Sequence, residues 1–228
     1  MPALIKTLID RADNFEIVRD SIAAMLLIES AGQQALAASA GRDAKDWRLR
    51  IFLERSTPWS VWQQNPQKND LRVDVSPIVN VSYSRSGFDR AKGDIVERQA
   101  SDSTFNIDCY GYGLSRDDNT GHVPGDKDAS MEAQRAARLV RSILMAAAYV
   151  DMQQRGVLWQ RWVSSIEMLS VQTEHAMQRI ECARIAFDCT FNEFSPQNQG
   201  VPLSLISTGF TRAETGEVFL ASFPNLEI

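Results

Sequence analysis

Apolar residues recur along this chain with two different periods. Behind DNFE at 13–16, Ile17, Ile22, Met25, Leu26 and Ile28 keep near-helical intervals. DNFE itself fits a capping box, with Asp13 accepting backbone N–H groups and Glu16 reaching back. The pattern fades into AGQQALAASAG (31–41), where Gly41 is a suitable stop. Small residues here favour close helix packing, within the chain or against another subunit.

The period then changes to two. WRLRIFLER (47–55) puts Leu49, Ile51 and Leu53 on one side and Arg48, Arg50 and Glu54 on the other, the pattern of a half-buried strand. After a proline-broken stretch, LRVDV (71–75) and IVNVSYS (78–84) read as two more strands. Residues 85–102 are polar and glycine-containing and read as a mobile loop or long hairpin tip. STFNIDCYGYG (103–113) alternates cleanly, with Phe105, Ile107 and Cys109 against Asn106, Asp108 and Tyr110, and Gly–Tyr–Gly is expected to end the strand.

A second polar loop (114–130) leads to a long helix over 130–152, capped by Ser130 or Asp128. Its stripe is Ala133, Ala137, Val140, Leu144, Ala147 and Val150, with Glu132, Arg135 and Arg141 lying away from it. At 1.5 Å per residue such a helix reaches roughly 30 Å, enough to cover a small sheet. Two strands follow, a bent one in 158–172 and a regular one in 180–194 with Ile185, Phe187, Cys189 and Phe191 inward. Runs at 207–212 and 217–221 flank ETGE and read as a β-hairpin arm. The arm either reaches a neighbouring subunit or folds back on its own domain. Because helices and strands are segregated, the expected fold is α+β. It has an antiparallel-rich sheet covered by the long helix, an N-terminal helix and a C-terminal hairpin arm. The division expected is a core of residues 1–196 and an arm of 197–228.

Composition adds limits. The chain has 228 residues and a net charge of −5, which argues against a nucleic-acid binder held by phosphate contacts. Cys109, Cys182 and Cys189 are odd in number, without CxxC spacing, and read as small buried hydrophobes in a reducing compartment. The opening MPALIKTLIDRADNF breaks its apolar run with charge, and the block IAAMLLI is too short to span a bilayer. A soluble cytosolic product without membrane contact is expected.

Candidate chemistry is sparse. His122 and His175 lack metal-ligand spacing, and Cys182 and Cys189, seven apart on one strand, must face opposite sides. DDNTGHVPGDKD (117–128) is acidic and glycine-rich but lacks the alternate carboxylates and closing Glu of a calcium loop. No GxSxG, P-loop or GxGxxG occurs. A hydrolase using Ser86, His122 and a nearby Asp can be drawn, as in most chains of this size. The arginine groups 48, 50 and 55, and 135, 138 and 141, fit surface salt bridging or DNA contact. PWSVW places Trp59 and Trp62 in a proline-bounded loop, as contact anchors or folded back over the core. With Phe210, Val218, Phe219 and Leu220 of the arm they form the candidate interface set; no cofactor is expected.

The helical NFEIVRDSIAAMLLIE followed by WRLRIFLERSTPW resembles neck and tail-completion proteins of long-tailed phages and prophages. The middle is similar to the tail terminator pattern: SPIVNVSYS, a long loop, FNIDCYGYG, MEAQRAARLVRSILMAA and ARIAFDCTFNEFSP. The likeness spans residues 13–196, and the arm departs from the shorter family pattern. It implies a virion protein assembled in the host cytoplasm that forms a ring, most simply hexameric, on the last ring of the tail tube. Such a ring halts tube growth and offers the surface that joins the head; a head-completion or connector protein of the neck is the alternative. Implied partners are further copies of the chain, the tail tube protein, neck proteins and, as a further candidate, the tail sheath. DNA would be met only in transit through the lumen, where an acidic wall keeps phosphates from sticking. The ring would catalyse nothing.

Overall fold

The computed structural model describes residues 8–9, 11, 13–63, 75–88, 98–118, 121–152, 158–171, 178–194, 205–211 and 218–224. Contacts divide the chain into Asp10–Ser195 and a smaller unit of Met1–Ile9 with Pro196–Ile228. The fold is mixed α+β. In the larger unit a five-stranded sheet runs β1 (Arg50–Leu53), β2 (Ile78–Phe88), β3 (Arg98–Leu114), β7 (Gln178–Phe194), β6 (Leu158–Ser170). Only the β1–β2 pair is parallel. Two long helices accompany the sheet, α1 (Asn14–Ser39) and α3 (Asp126–Leu144). A one-turn helix α2 (Ser60–Gln63) and a two-stranded β4 (Arg116–Asp118)–β5 (Gly121–Val123) ribbon complete the unit. In the smaller unit β8 (Leu205–Thr211) pairs antiparallel with β9 (Val218–Pro224).

β3 carries the main core because the odd positions 105–109 are apolar and sit at the centre of the sheet. Phe105, Ile107 and Cys109 are buried with Ile185, Phe187, Cys189 and Phe191 of β7. Onto them pack Ala133, Ala137, Val140 and Leu144 of α3 and Val18, Ile22, Met25 and Leu26 of α1. The buried stripe of α1 is centred on Ile22 and Leu26. At 100° per residue Ile17 and Ile28 fall on the far side, where both are exposed, contrary to the stripe expected from spacing alone.

Helix ends also differ from the reading of the sequence. Asp13 occupies the N-cap of α1, but its side chain makes no capping bond. The Asn14 N–H instead donates to the Glu193 carboxylate (3.3 Å), and the Asn14 side-chain amide donates to the Asn192 carbonyl, tying the helix start to β7. At the other end Gly41 takes φ +69°, and Arg42 N–H donates to the Ala37 carbonyl, closing the helix as its glycine suggested. α3 starts at Asp126 behind Gly125 with no side-chain cap, so neither Ser130 nor Asp128 caps it. It stops at Leu144, leaving Ala147 in a separate 3-10 turn and Val150 exposed. Arg161 from β6 marks this end, donating to the carbonyls of Ala146 (2.8 Å) and Val150 (3.2 Å).

Three strand boundaries move. The expected 47–55 strand is extended only at Arg50–Leu53; Ala44–Trp47 forms a 3-10 turn, and Glu54 leaves the strand at φ +48°. Leu53 is exposed rather than inward. The LRVDV strand lies outside the described residues but for Val75, which is not in a strand. The polar stretch 85–102 is partly sheet, since β2 continues to Phe88 and β3 begins at Arg98. Its inward positions are serines: Ser101 and Ser103 are buried and share a 2.9 Å hydrogen bond, Ser86 meets Ser103 at 2.5 Å, and Tyr83 donates to Ser86 (2.9 Å). A hydroxyl chain replaces apolar packing there, so hydropathy hides the strand. Residues 89–97 of the expected loop lie outside the described residues.

Gly–Tyr–Gly does not end β3. The strand runs on to Leu114, and Gly111 and Gly113 are the seat of the first turn of α3. A Cβ at position 111 would overlap the Ala129 carbonyl and the Ala133 amide nitrogen; one at 113 would overlap the Gly125 carbonyl. Gly111→Ala is therefore expected to destabilise the unit by about 3 kcal/mol, because neither backbone can yield. Gly32→Ala, where nothing lies within 4 Å of the new methyl, should stabilise α1 by about 1 kcal/mol. Urea unfolding of both variants checks the contrast.

Candidate functional site

The even positions of β3 point away from α3, onto a second face of the sheet with three zones. At the β1 end, Ile78, Tyr110, Ile180 and Cys182 are buried with Trp62, and Phe52, Trp59, Tyr112 and Leu169 pack around them. Trp59 lies 5.2 Å from the Tyr110 ring and Trp62 5.4 Å from the Tyr112 ring. The loop carrying both tryptophans is held by Asn80, which accepts from Arg55 N–H and donates to the Arg55 carbonyl, each at 3.0 Å. The amide of Asn80 thus imitates one more backbone partner on β2. Of the two alternatives read from the sequence, folding back describes Trp62, which is 3% exposed.

The middle zone is an ion pair. Arg184 grips Asp108 in bidentate fashion, Nε–Oδ1 2.7 Å and Nη2–Oδ2 2.9 Å, and the Tyr110 hydroxyl donates to Asp108 at 3.2 Å. Hydrogen bonding to Asp108 raises the Arg184 pKa, while burial, then the Asp108 charge, raises that of Tyr110. The two-point grip fixes both side chains across the β3–β7 pairing, where Asp108 is opposite Arg184.

The third zone is a cleft of about 600 Å³ across four strands. Register places Arg85, Thr104, Asp188 and Trp162 in one cross-strand row and Gly87, Asp102, Thr190 and Gln160 in the next. Thr104 donates to Asp188 and Thr190 to Asp102, both at 2.7 Å. Trp162 forms the outer wall and is 61% exposed. It stands on β6, which among the described residues has only β7 as a neighbour. Trp159, Ile166 and Met168 of the same strand are exposed as well. Sequence reasoning recognised this strand but not its tryptophans, although two of them three apart among only two charged residues were a usable signal.

Several apolar side chains of α1 are exposed at different angles round the helix. Ile17, Leu27, Ile28 and Leu36 are exposed. Between Asp20 and Arg42 the sole charged side chain is Glu29, which accepts from the Tyr149 hydroxyl at 2.6 Å. Of the arm residues, Phe210 is opposite Phe219, Val218 opposite Thr211 and Leu220 opposite Gly209, placed by backbone register alone. For the hydrolase alternative, Ser86 sits in the hydroxyl chain with Tyr83 and Ser103. His122 lies in β5 opposite Asp117, and His175 is outside the described residues. No group of His, Cys, Asp and Glu among the described residues could hold a metal, and none of their helices is long and apolar enough to cross a membrane.

The three cysteines are buried and free, with Cys109 and Cys189 on the helix side and Cys182 on the other. Burial raises all three thiols, Cys182 to about 12 with help from the Asp108 charge. Neither family models nor curated proteins return a match to the chain.

A thiol whose pKa is raised on folding favours the native state below its unfolded pKa and loses that contribution as pH rises toward the folded value. At pH 8 the native protein should leave all three thiols unreacted with an aromatic disulfide reagent, and all three should react in urea. Rapid modification of the native protein would contradict the burial described.

Proposed function

We propose that this chain is a structural virion protein forming a homohexameric ring at the head-proximal end of a phage tail. There it ends tail-tube growth and joins tail to head. The observation that carries the reading is the open edge of β6, thirteen residues long with Trp159, Trp162, Ile166 and Met168 exposed. An open, weakly charged edge presents unpaired backbone groups and favours addition of another chain. The exposed apolar residues Ile17, Leu27 and Ile28 of α1 support the same reading, as does the resemblance in element order to tail terminators.

In this reading the sheet, with α3 lying across it, is the body of the subunit. Residues 197–228 form a hairpin arm that reaches a neighbouring copy. An isolated two-stranded hairpin is marginal in water, so an arm of this kind gains stability from a surface on which to pack. The partners are further copies, the tail tube protein and neck proteins. DNA passes through without being held, in keeping with a net charge of −5. The protein needs no cofactor and catalyses no reaction.

Electron microscopy of the purified chain mixed with tail tubes tests the assignment. Rings capping one end of the tubes are expected; rings that bind only portal-bearing heads would move the protein to the connector side of the neck. A chain ending after Gly200 should fold, by its circular dichroism, yet assemble poorly. Normal ring formation by that variant would reduce the arm to local packing.

A further inference from the structure

The arm in the proposed assembly requires an acceptor, and the sheet topology limits where one can be. The larger sheet ends in β1 on one side and β6 on the other. β1 offers only four residues, ending where Glu54 turns away at φ +48°. β6 offers thirteen, interrupted by register shifts between Leu158 and Gln160 and between Val163 and Ser165. Such bulges break the regular pattern that an incoming strand would have to match. Beyond the second shift the register is continuous, from Ser165 opposite Ala186 to Ser170 opposite Glu181. That uninterrupted stretch is six residues long, close to the seven of β8 and of β9.

Composition agrees with length. Ser165–Ser170 carries one charge, Glu167, and β8 and β9 carry none. Ile166 and Met168 are opposite Ile185 and Ala183, core positions on the α3 side of the sheet, yet they are 47% and 44% exposed. They are core-side residues at an edge where the core stops. In the arm, register puts Ile206 opposite Phe223 and Phe210 opposite Phe219, positions of one parity. A strand added beside β6 would set such a row next to Ile166 and Met168 and carry the apolar side of the sheet outward.

We infer that residues 165–170 of β6 are the acceptor for the β8–β9 arm of a second copy, which adds to the sheet edge as a further antiparallel or parallel strand. This rests on the ring reading, and its test separates the two. Two pools of full-length chain are prepared, one with Ser165→Cys or Ser170→Cys, the other with Ser207→Cys or Ser222→Cys. The native cysteines are buried and do not compete. Neighbouring strands bring Cα atoms within disulfide range. The pools are mixed, their assembly is followed by light scattering, and they are then oxidised.

The expected result is assembly with a covalent dimer joining the two pools for at least one of the four pairs. Assembly without any cross-pool disulfide would overturn the acceptor assignment and leave the ring reading standing. In a separate chain carrying both substitutions, a disulfide formed within the chain, where the mixed pools form none, would overturn it too. Absence of assembly at any concentration would sink both. As an independent arm, Ile166→Lys with Met168→Lys should leave the melting curve nearly unchanged, since both side chains are half exposed, while weakening association about tenfold or more. Unaltered association would contradict the proposal.

Discussion

The arrangement depends on how closely α3 lies on β3. Helix backbone meets strand backbone at Gly111 and Gly113, with no side chain between them. That contact aligns the helix so that Ala133, Ala137, Val140 and Leu144 descend onto Phe105, Ile107, Phe187 and their neighbours. The alanines are as much part of the constraint as the glycines, because larger residues on either surface would lift the helix and open voids in the core. Arg161 then marks the far end of the helix by binding the Ala146 and Val150 carbonyls.

Seating α3 over β3 and β7 has a consequence at the sheet edges. The helix protects the centre, α1 serves the β1–β2 side, and among the described residues nothing covers the outer half of β6. The core-side residues Ile166 and Met168 consequently face solvent. On the opposite face, among the described residues, the one helix is the single turn of α2 that carries Trp62. One third of this face is closed by Trp59 and Trp62, the middle by the Asp108–Arg184 pair, and the last third remains a cleft bounded by Trp162. The described residues thus satisfy the centre of the sheet and leave apolar side chains exposed at the β6 edge and on α1.

Much of the α+β class could be read from periodicity. The helical period of α3 and the alternation of β7 are strong because apolar residues mark the inward positions, whereas that of α1 is blurred by exposed apolar residues such as Ile17 and Ile28. The extended ends of β2 and β3 were hidden because their inward residues are Ser86, Ser101 and Ser103, joined in a hydroxyl chain that no hydropathy pattern signals. The role of Gly–Tyr–Gly was misread for a related reason: glycine marks both strand ends and close backbone approach, and only the position of α3 separates them. The parallel pairing of β1 depends on Arg50 N–H meeting the Pro77 carbonyl, a long-range contact without a local signature. At the candidate surface the tryptophan loop was recognised as important, but its partners Tyr110 and Tyr112 come from a strand fifty residues away. The place of Trp162 on an edge strand is set by the long-range strand order, which no local pattern encodes.

The central claim is that this chain is one subunit of a closed assembly built on its open edge. Sedimentation equilibrium of the full-length protein across a wide concentration range measures that directly. The account predicts a monomer in equilibrium with a single closed oligomer, without a ladder of intermediate or larger species. A protein that remains monomeric up to the highest concentration reached would contradict it.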